Sequence, residues 1–194
     1  MRNLVLLAAV LASLLPIRAE ATSVDAESQT ITIALAQEPP QLNGMKATDQ
    51  VSIRVLSHSM EGLTRYDRRG NLAPGVAIRW EVDDNKATFW LREDAKWSNG
   101  DPVTAHDFVF AWRTVVTPST ASEYAFILYP VKNAEAINRG ERPASDLGVR
   151  AVDDYTLEVE LERPTAYFHQ THSIRELLPC ATSILRIDQW HLRR

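Results

Sequence analysis

The sequence predicts an α/β lobe, on two observations. Short stretches in which apolar residues alternate with polar ones interleave with stretches in which apolar residues recur at helical spacing. Some of the alternating stretches also lie close enough together to pair as hairpins, so helices and paired strands must share one lobe rather than form an all-β sandwich.

The elements follow in order. In Thr30 to Ala36, Ile31, Ile33 and Leu35 alternate with small or polar residues, the period of a half-buried strand, and Glu38-Pro39-Pro40 breaks it. Residues 49 to 60 place Val51, Val55 and Leu56 at helical spacing, which predicts a short helix stopped by Glu61-Gly62-Leu63. From Val76 to Arg92 two alternating stretches flank Asp83-Asp84-Asn85-Lys86. In the second, Phe89 and Leu91 share one face while Thr88, Trp90 and Arg92 share the other, which predicts a hairpin.

Thr104, with Asp107 three residues on, predicts a capping box for a helix with an apolar stripe of Phe108, Ala111, Trp112 and Val115, ended by Pro118. Ser122 is then expected to cap a second helix to about Asn138, with Ile127, Val131 and Ala134 on one side and Gly140 beyond its end. A period of two returns where Leu157, Val159 and Leu161 face one way and Thr156, Glu158 and Glu160 the other. No repeat or low-complexity segment interrupts this order.

A chain of 194 residues is long enough for one domain, or for one lobe of something larger. Its 45% hydrophobic and 24% charged residues argue against disorder and coiled coils. The net charge of −4 comes with scattered basic residues, which leaves no electrostatic footprint for a phosphate backbone and argues against a nucleic-acid partner.

The first 21 residues differ from the rest. Arg2 gives a positive start, Leu4 to Leu15 is apolar apart from Ser13, and Ala19-Glu20-Ala21 is a small-x-small site: the pattern of a signal peptide, residues 1–21. The apolar run is far shorter than the ~20 residues a membrane span needs. Cys180 is the only cysteine, so no internal disulfide can form and no cysteine stands at the cleavage site to carry a lipid. A free periplasmic protein is the expectation.

Residues that could carry chemistry mostly have plainer explanations. His169 and His172 lack a third ligand, so no metal is predicted. Asp83-Asp84 and Asp153-Asp154 each precede a strand at a turn, where Asp bonds nearby backbone amides. Phosphate loops, nucleophile elbows, zinc-protease helices and Cys-x-x-Cys pairs are all missing, which points away from those enzyme classes and from a cofactor. Trp80, Trp90, Trp97 and Trp112 are expected to fill a core rather than to stack on a ligand.

A long run of residues carries a resemblance. Leu72-Ala73-Pro74-Gly75-Val76-Ala77, Trp80, Thr88-Phe89-Trp90-Leu91-Arg92, Ala95-Lys96-Trp97-Ser98-Asn99-Gly100 and Pro102-Val103-Thr104-Ala105 closely resemble the signature of the family 5 extracellular solute-binding proteins. Glu61-Gly62-Leu63, Asp107-Phe108-Val109 and Asp153-Asp154-Tyr155-Thr156-Leu157-Glu158-Val159 fit the same pattern. Thr120-Ala121-Ser122 and Asp146-Leu147-Gly148-Val149 look most like its oligopeptide-binding branch, which includes murein-peptide receptors. The resemblance runs from about residue 30 to residue 168.

It implies a periplasmic binding protein-like type II lobe with a mixed sheet and hairpins, part of a two-lobed clamp that closes over an extended peptide. In such a clamp the peptide backbone is held in strand-like pairing, hydrated pockets accept varied side chains, and no bond is made or broken. The implied partners are an oligopeptide ligand and the permease subunits of an ABC transporter in the inner membrane, with the complete protein a monomer and no cofactor. By position, Tyr124 matches a family tyrosine that contributes to a peptide side-chain pocket, and Thr48, Asp49 and Gln50 lie where the family's first loop reaches the ligand, although the family residues there are not reproduced.

The expected organisation is a signal peptide (1–21), the N-terminal part of the first lobe (22–60), the family-matching α/β region (61–168) and a tail (169–194). Family members are more than twice this length, and the pattern stops after Pro164-Thr165-Ala166-Tyr167-Phe168, so the tail is expected to be frameshifted or truncated, the clamp incomplete and its peptide affinity poor. The competing expectations are an exported peptide hydrolase, for which no nucleophile or metal constellation is found, and an interaction protein or non-functional fragment.

Overall fold

The computed structural model describes residues 22–165 and Phe168. Residues 1–21, expected to be a signal peptide, and the tail, with His169, His172 and Cys180, lie outside the described residues. Those described fall into two compact units, one running to Glu38 and the other starting at Pro39.

The first unit contains a hairpin of β1 (Thr22–Asp25) and β2 (Thr30–Ile33), paired antiparallel with Thr22 opposite Ile33. Asp25 builds the turn: its Oδ1 accepts from the Glu27 and Ser28 amides at 3.0 and 3.2 Å, and the Ser28 hydroxyl donates to its Oδ2 at 2.6 Å. The strand expected over 30–36 is thus shorter, and Ile33 is 37% exposed rather than half-buried.

The second unit opens with α1 (Gln50–Ser59), the helix expected over 49–60, which buries Ser52 and Leu56. A small antiparallel pair follows, β3 (Thr64–Tyr66) with β4 (Leu72–Pro74). The main sheet has four strands in the order β5-β6-β8-β7, from β5 (Ala77–Val82), β6 (Lys86–Leu91), β7 (Val149–Asp153) and β8 (Thr156–Glu160). Helices and sheets mix along the chain as the sequence predicts, and each described sheet is antiparallel rather than mixed in strand direction. The predicted hairpin is β5–β6, with Phe89 opposite Trp80 and Val82 opposite Ala87.

The period of two sorts the faces of the main sheet. Ala87, Phe89, Leu157 and Val159 are fully buried on one face, and α2 (Ala105–Val116) packs against that side. Its predicted stripe is the centre of the core: Phe108, Trp112 and Val115 are fully buried, and the Phe168 ring meets Trp112 edge-on at 6.4 Å. Asp107 fixes the helix start by accepting on Oδ2 from both the Thr104 amide (2.8 Å) and the Thr104 hydroxyl (3.2 Å). Trp90 lies on the other face, where the Arg79 guanidinium stacks 3.7 Å from its ring centre.

The continuous helix expected over 122–138 is the clearest departure. The segment forms a 3-10 turn at Ala125–Leu128 and then a separate short α3 (Ala134–Asn138). Pro130 lacks the amide that would bond back to Phe126, and Asn133 takes a left-handed φ of 66°. Asn133 is held there by external partners: its amide donates to Glu162 Oε2 at 3.0 Å and its side chain to the Asp146 carbonyl at 2.8 Å. Val131 bridges to Leu161, so tertiary pairing overrides the helical pattern. Gly140 does end α3. At φ +79° it lets its own amide reach the Ile137 carbonyl (2.8 Å) and the Glu141 amide reach Ala136 (2.9 Å), a Schellman-type closure.

Candidate functional site

Tyr124 stands at the start of the 3-10 turn Ala125–Leu128, half-buried, with φ −102° and ψ 12°. That turn is held from behind. Ala125 and Leu128 are buried in the core, and the Tyr129 hydroxyl donates to Asn138 Oδ1 at 2.9 Å while Asn138 Nδ2 donates to the Val116 carbonyl at 3.1 Å. Upstream, the Thr117 and Thr120 hydroxyls donate to the Arg113 and Thr114 carbonyls at 2.7 and 2.6 Å, which ties the approach to the end of α2. The Ser122 hydroxyl is buried with no hydrogen-bond partner among the described residues.

On the outer side of the turn the Tyr124 ring lies 5.9 Å from the Phe126 ring at an angle of 40°, and Phe126 is 55% exposed. The sequence pattern missed Phe126. It falls off the stripe of Ile127, Val131 and Ala134, and a large aromatic on the outward side was the available signal.

Thr48, Asp49 and Gln50 lie together at the N-terminus of α1, an element apart from Tyr124. Asp49 is its N-cap, and Oδ1 accepts from the Val51 and Ser52 amides at 3.1 and 2.8 Å. Hydrogen bonding from Ser52, side chain and backbone, holds the Asp49 carboxyl below its ordinary pKa. Thr48 and Gln50 are exposed.

Elsewhere, Asp153 behaves as the turn residue it was expected to be, its Oδ1 accepting from the Tyr155 amide at 2.8 Å. Among the described residues no three His, Cys, Asp or Glu side chains converge as a metal site. An open groove of about 550 Å³ runs along α2 beside Phe110 and Arg113, and none of the four predicted residues lines it. What the Tyr124 turn offers is a fixed apolar platform with a phenol at its edge, suited to contact rather than to bond breaking.

Comparison with known proteins identifies the family. Residues 71–184 match the family described as bacterial extracellular solute-binding proteins, family 5 middle. The oligopeptide-binding protein OppA of Bacillus subtilis is 42% identical over 152 residues, which cover 77% of this chain and 28% of that protein. Among solved structures, the unliganded open form of the periplasmic murein tripeptide binding protein MppA superposes with a TM-score of 0.74 at 37% identity, over 76% of this chain and 29% of that one. Haemophilus influenzae OppA in complex with RPPGFSPFR gives 0.72 at 44% identity, over 74% and 29%. The chain spans about 28% of the length of the first of these relatives, and the first two are named as binding proteins. This chain belongs to the family 5 bacterial extracellular solute-binding proteins.

Proposed function

We propose that the chain is part of the peptide-binding receptor of an ABC importer, that it contributes one wall of the peptide site, and that it performs no catalysis. The observation that carries this is the 42% identity over 152 residues to an oligopeptide-binding protein, matched in backbone by peptide receptors at TM-scores of 0.74 and 0.72. The residues assigned to the ligand are Tyr124, for a peptide side chain, and Thr48, Asp49 and Gln50, at the first loop. Partners are an oligopeptide and the importer's permease subunits. Residues 1–21 direct export and residues 22–60 and 61–168 form the receptor part; relatives named as periplasmic support the location.

A chimera tests the reading. Residues 30–165 of this chain replace the matching stretch of B. subtilis OppA, and tri- and tetrapeptides are titrated calorimetrically. Peptide heat comparable to the parent's is expected, whereas a folded chimera that binds none contradicts the assignment. Peptides cleaved during the titration would contradict the absence of catalysis. Export is checked by N-terminal sequencing of secreted protein, which is expected to begin at Thr22.

A further inference from the structure

We infer that Phe126 forms, with Tyr124, an aromatic lip that makes this site prefer peptides with an aromatic or large aliphatic side chain. The inference rests on the reading of the chain as part of a peptide receptor. A single exposed phenylalanine needs no explanation. This one is 55% exposed on a turn whose flanking Ala125 and Leu128 are 2% and 0% exposed. A 3-10 turn places residues three apart on the same side, so Ala125 and Leu128 anchor together and turn Phe126 outward.

The two rings lie 5.9 Å apart and tilted by 40°, within the range of an aromatic pair, so they present one continuous apolar surface. Little order has to be created on binding. Each side chain has only two rotatable angles, and the turn beneath is tied to α2 and α3 through Thr120 and Tyr129. Chemistry then selects the ligand: the ring faces reward apolar area, and alanine in the same place leaves them wet.

The test uses the 194-residue protein, isotope-labelled for NMR, with Lys-Phe-Lys and Lys-Ala-Lys titrated at millimolar concentrations so that weak binding is visible. The Tyr124 and Phe126 ring signals are expected to move, with the phenylalanine peptide bound about two- to tenfold more tightly. Phe126→Ser is expected to bring that ratio close to one, and Phe126→Leu, which keeps apolar bulk if the serine variant fails to fold, to leave an intermediate ratio. Peptide binding with a ratio that neither variant changes overturns the inference and leaves the receptor reading intact. No signal moving with either peptide overturns the inference, and the receptor reading is then decided separately by the chimera.

Discussion

Arg150 Nε on β7 donates to Glu158 Oε1 on β8 at 2.7 Å, across the pair that lies directly opposite in the sheet register. Lys86 of β6 closes on Oε2 of the same carboxylate, so one side chain joins three neighbouring strands. The three stand on the face away from α2. A one-residue slip of β8 would carry Glu158 into the core and leave both cations without it, so the triad helps to fix register.

Glu158→Ala is therefore expected to destabilise the chain by about 1–2 kcal/mol. The Glu158 side chain is 11% exposed, but the Lys86 and Arg150 side chains are 48% and 63% exposed and return to water when it is removed. That keeps the loss below that of a fully buried pair. Lys86→Ala, which removes only one of two partners, should cost less than about 1 kcal/mol. Urea unfolding measures both, and an unchanged midpoint for Glu158→Ala would contradict the role.

The same carboxylate gives a pH dependence. Hydrogen bonding from Lys86, then from Arg150, holds the Glu158 pKa below its ordinary 4.5, against the opposing pull of desolvation. A group with a depressed folded pKa contributes its stability above the unfolded value and loses it as pH falls through the folded value. Glu158→Gln is expected to show a shallower fall in melting temperature between neutral pH and pH values below 4.5 than the parent. Parallel curves for the two proteins would remove Glu158 from the acid response.

Gly75 is set by a close backbone approach. A Cβ placed there would lie 2.4 Å from the Gly62 carbonyl oxygen and 3.0 Å from that of Leu63. The approach is fixed by the Val76 and Ala77 amides, which donate to those two carbonyls at 2.9 Å each. Because backbone cannot swing aside as a side chain would, Gly75→Ala should cost about 1–3 kcal/mol. Calorimetric melting checks it, and a variant as stable as the parent would show that the two backbone segments can move apart without penalty.

How much was legible in the sequence depended on where each element's partners lie. The β5–β6 hairpin and α2 are specified locally: Phe89 and Leu91 alternate, Asp107 caps and Pro118 follows the end. The break in 122–138 was not, because the groups that hold Asn133 come from Asp146 and Glu162, distant in sequence. Pro130 was the one local warning. Tyr124 entered through family resemblance rather than through any pattern of its own. Phe126 was legible only as an aromatic off the helical stripe, and its pairing with Tyr124 only through the turn that replaced the expected helix.

Asp49 separates two roles that one side chain could serve. Its Oδ1 already accepts from the Val51 and Ser52 amides, so the cap of α1 needs an acceptor at that position but not a charge. A ligand contact made through the carboxylate would need the charge as well. Asp49→Asn keeps an acceptor oxygen and should melt close to the parent, whereas Asp49→Ala loses the cap and should melt lower. The two variants are then compared in the chimera for peptide affinity. If Asp49 touches the ligand through its charge, Asp49→Asn weakens binding although stability is kept. If capping is its whole task, Asp49→Asn binds like the parent, and the assignment of Asp49 to the ligand is withdrawn.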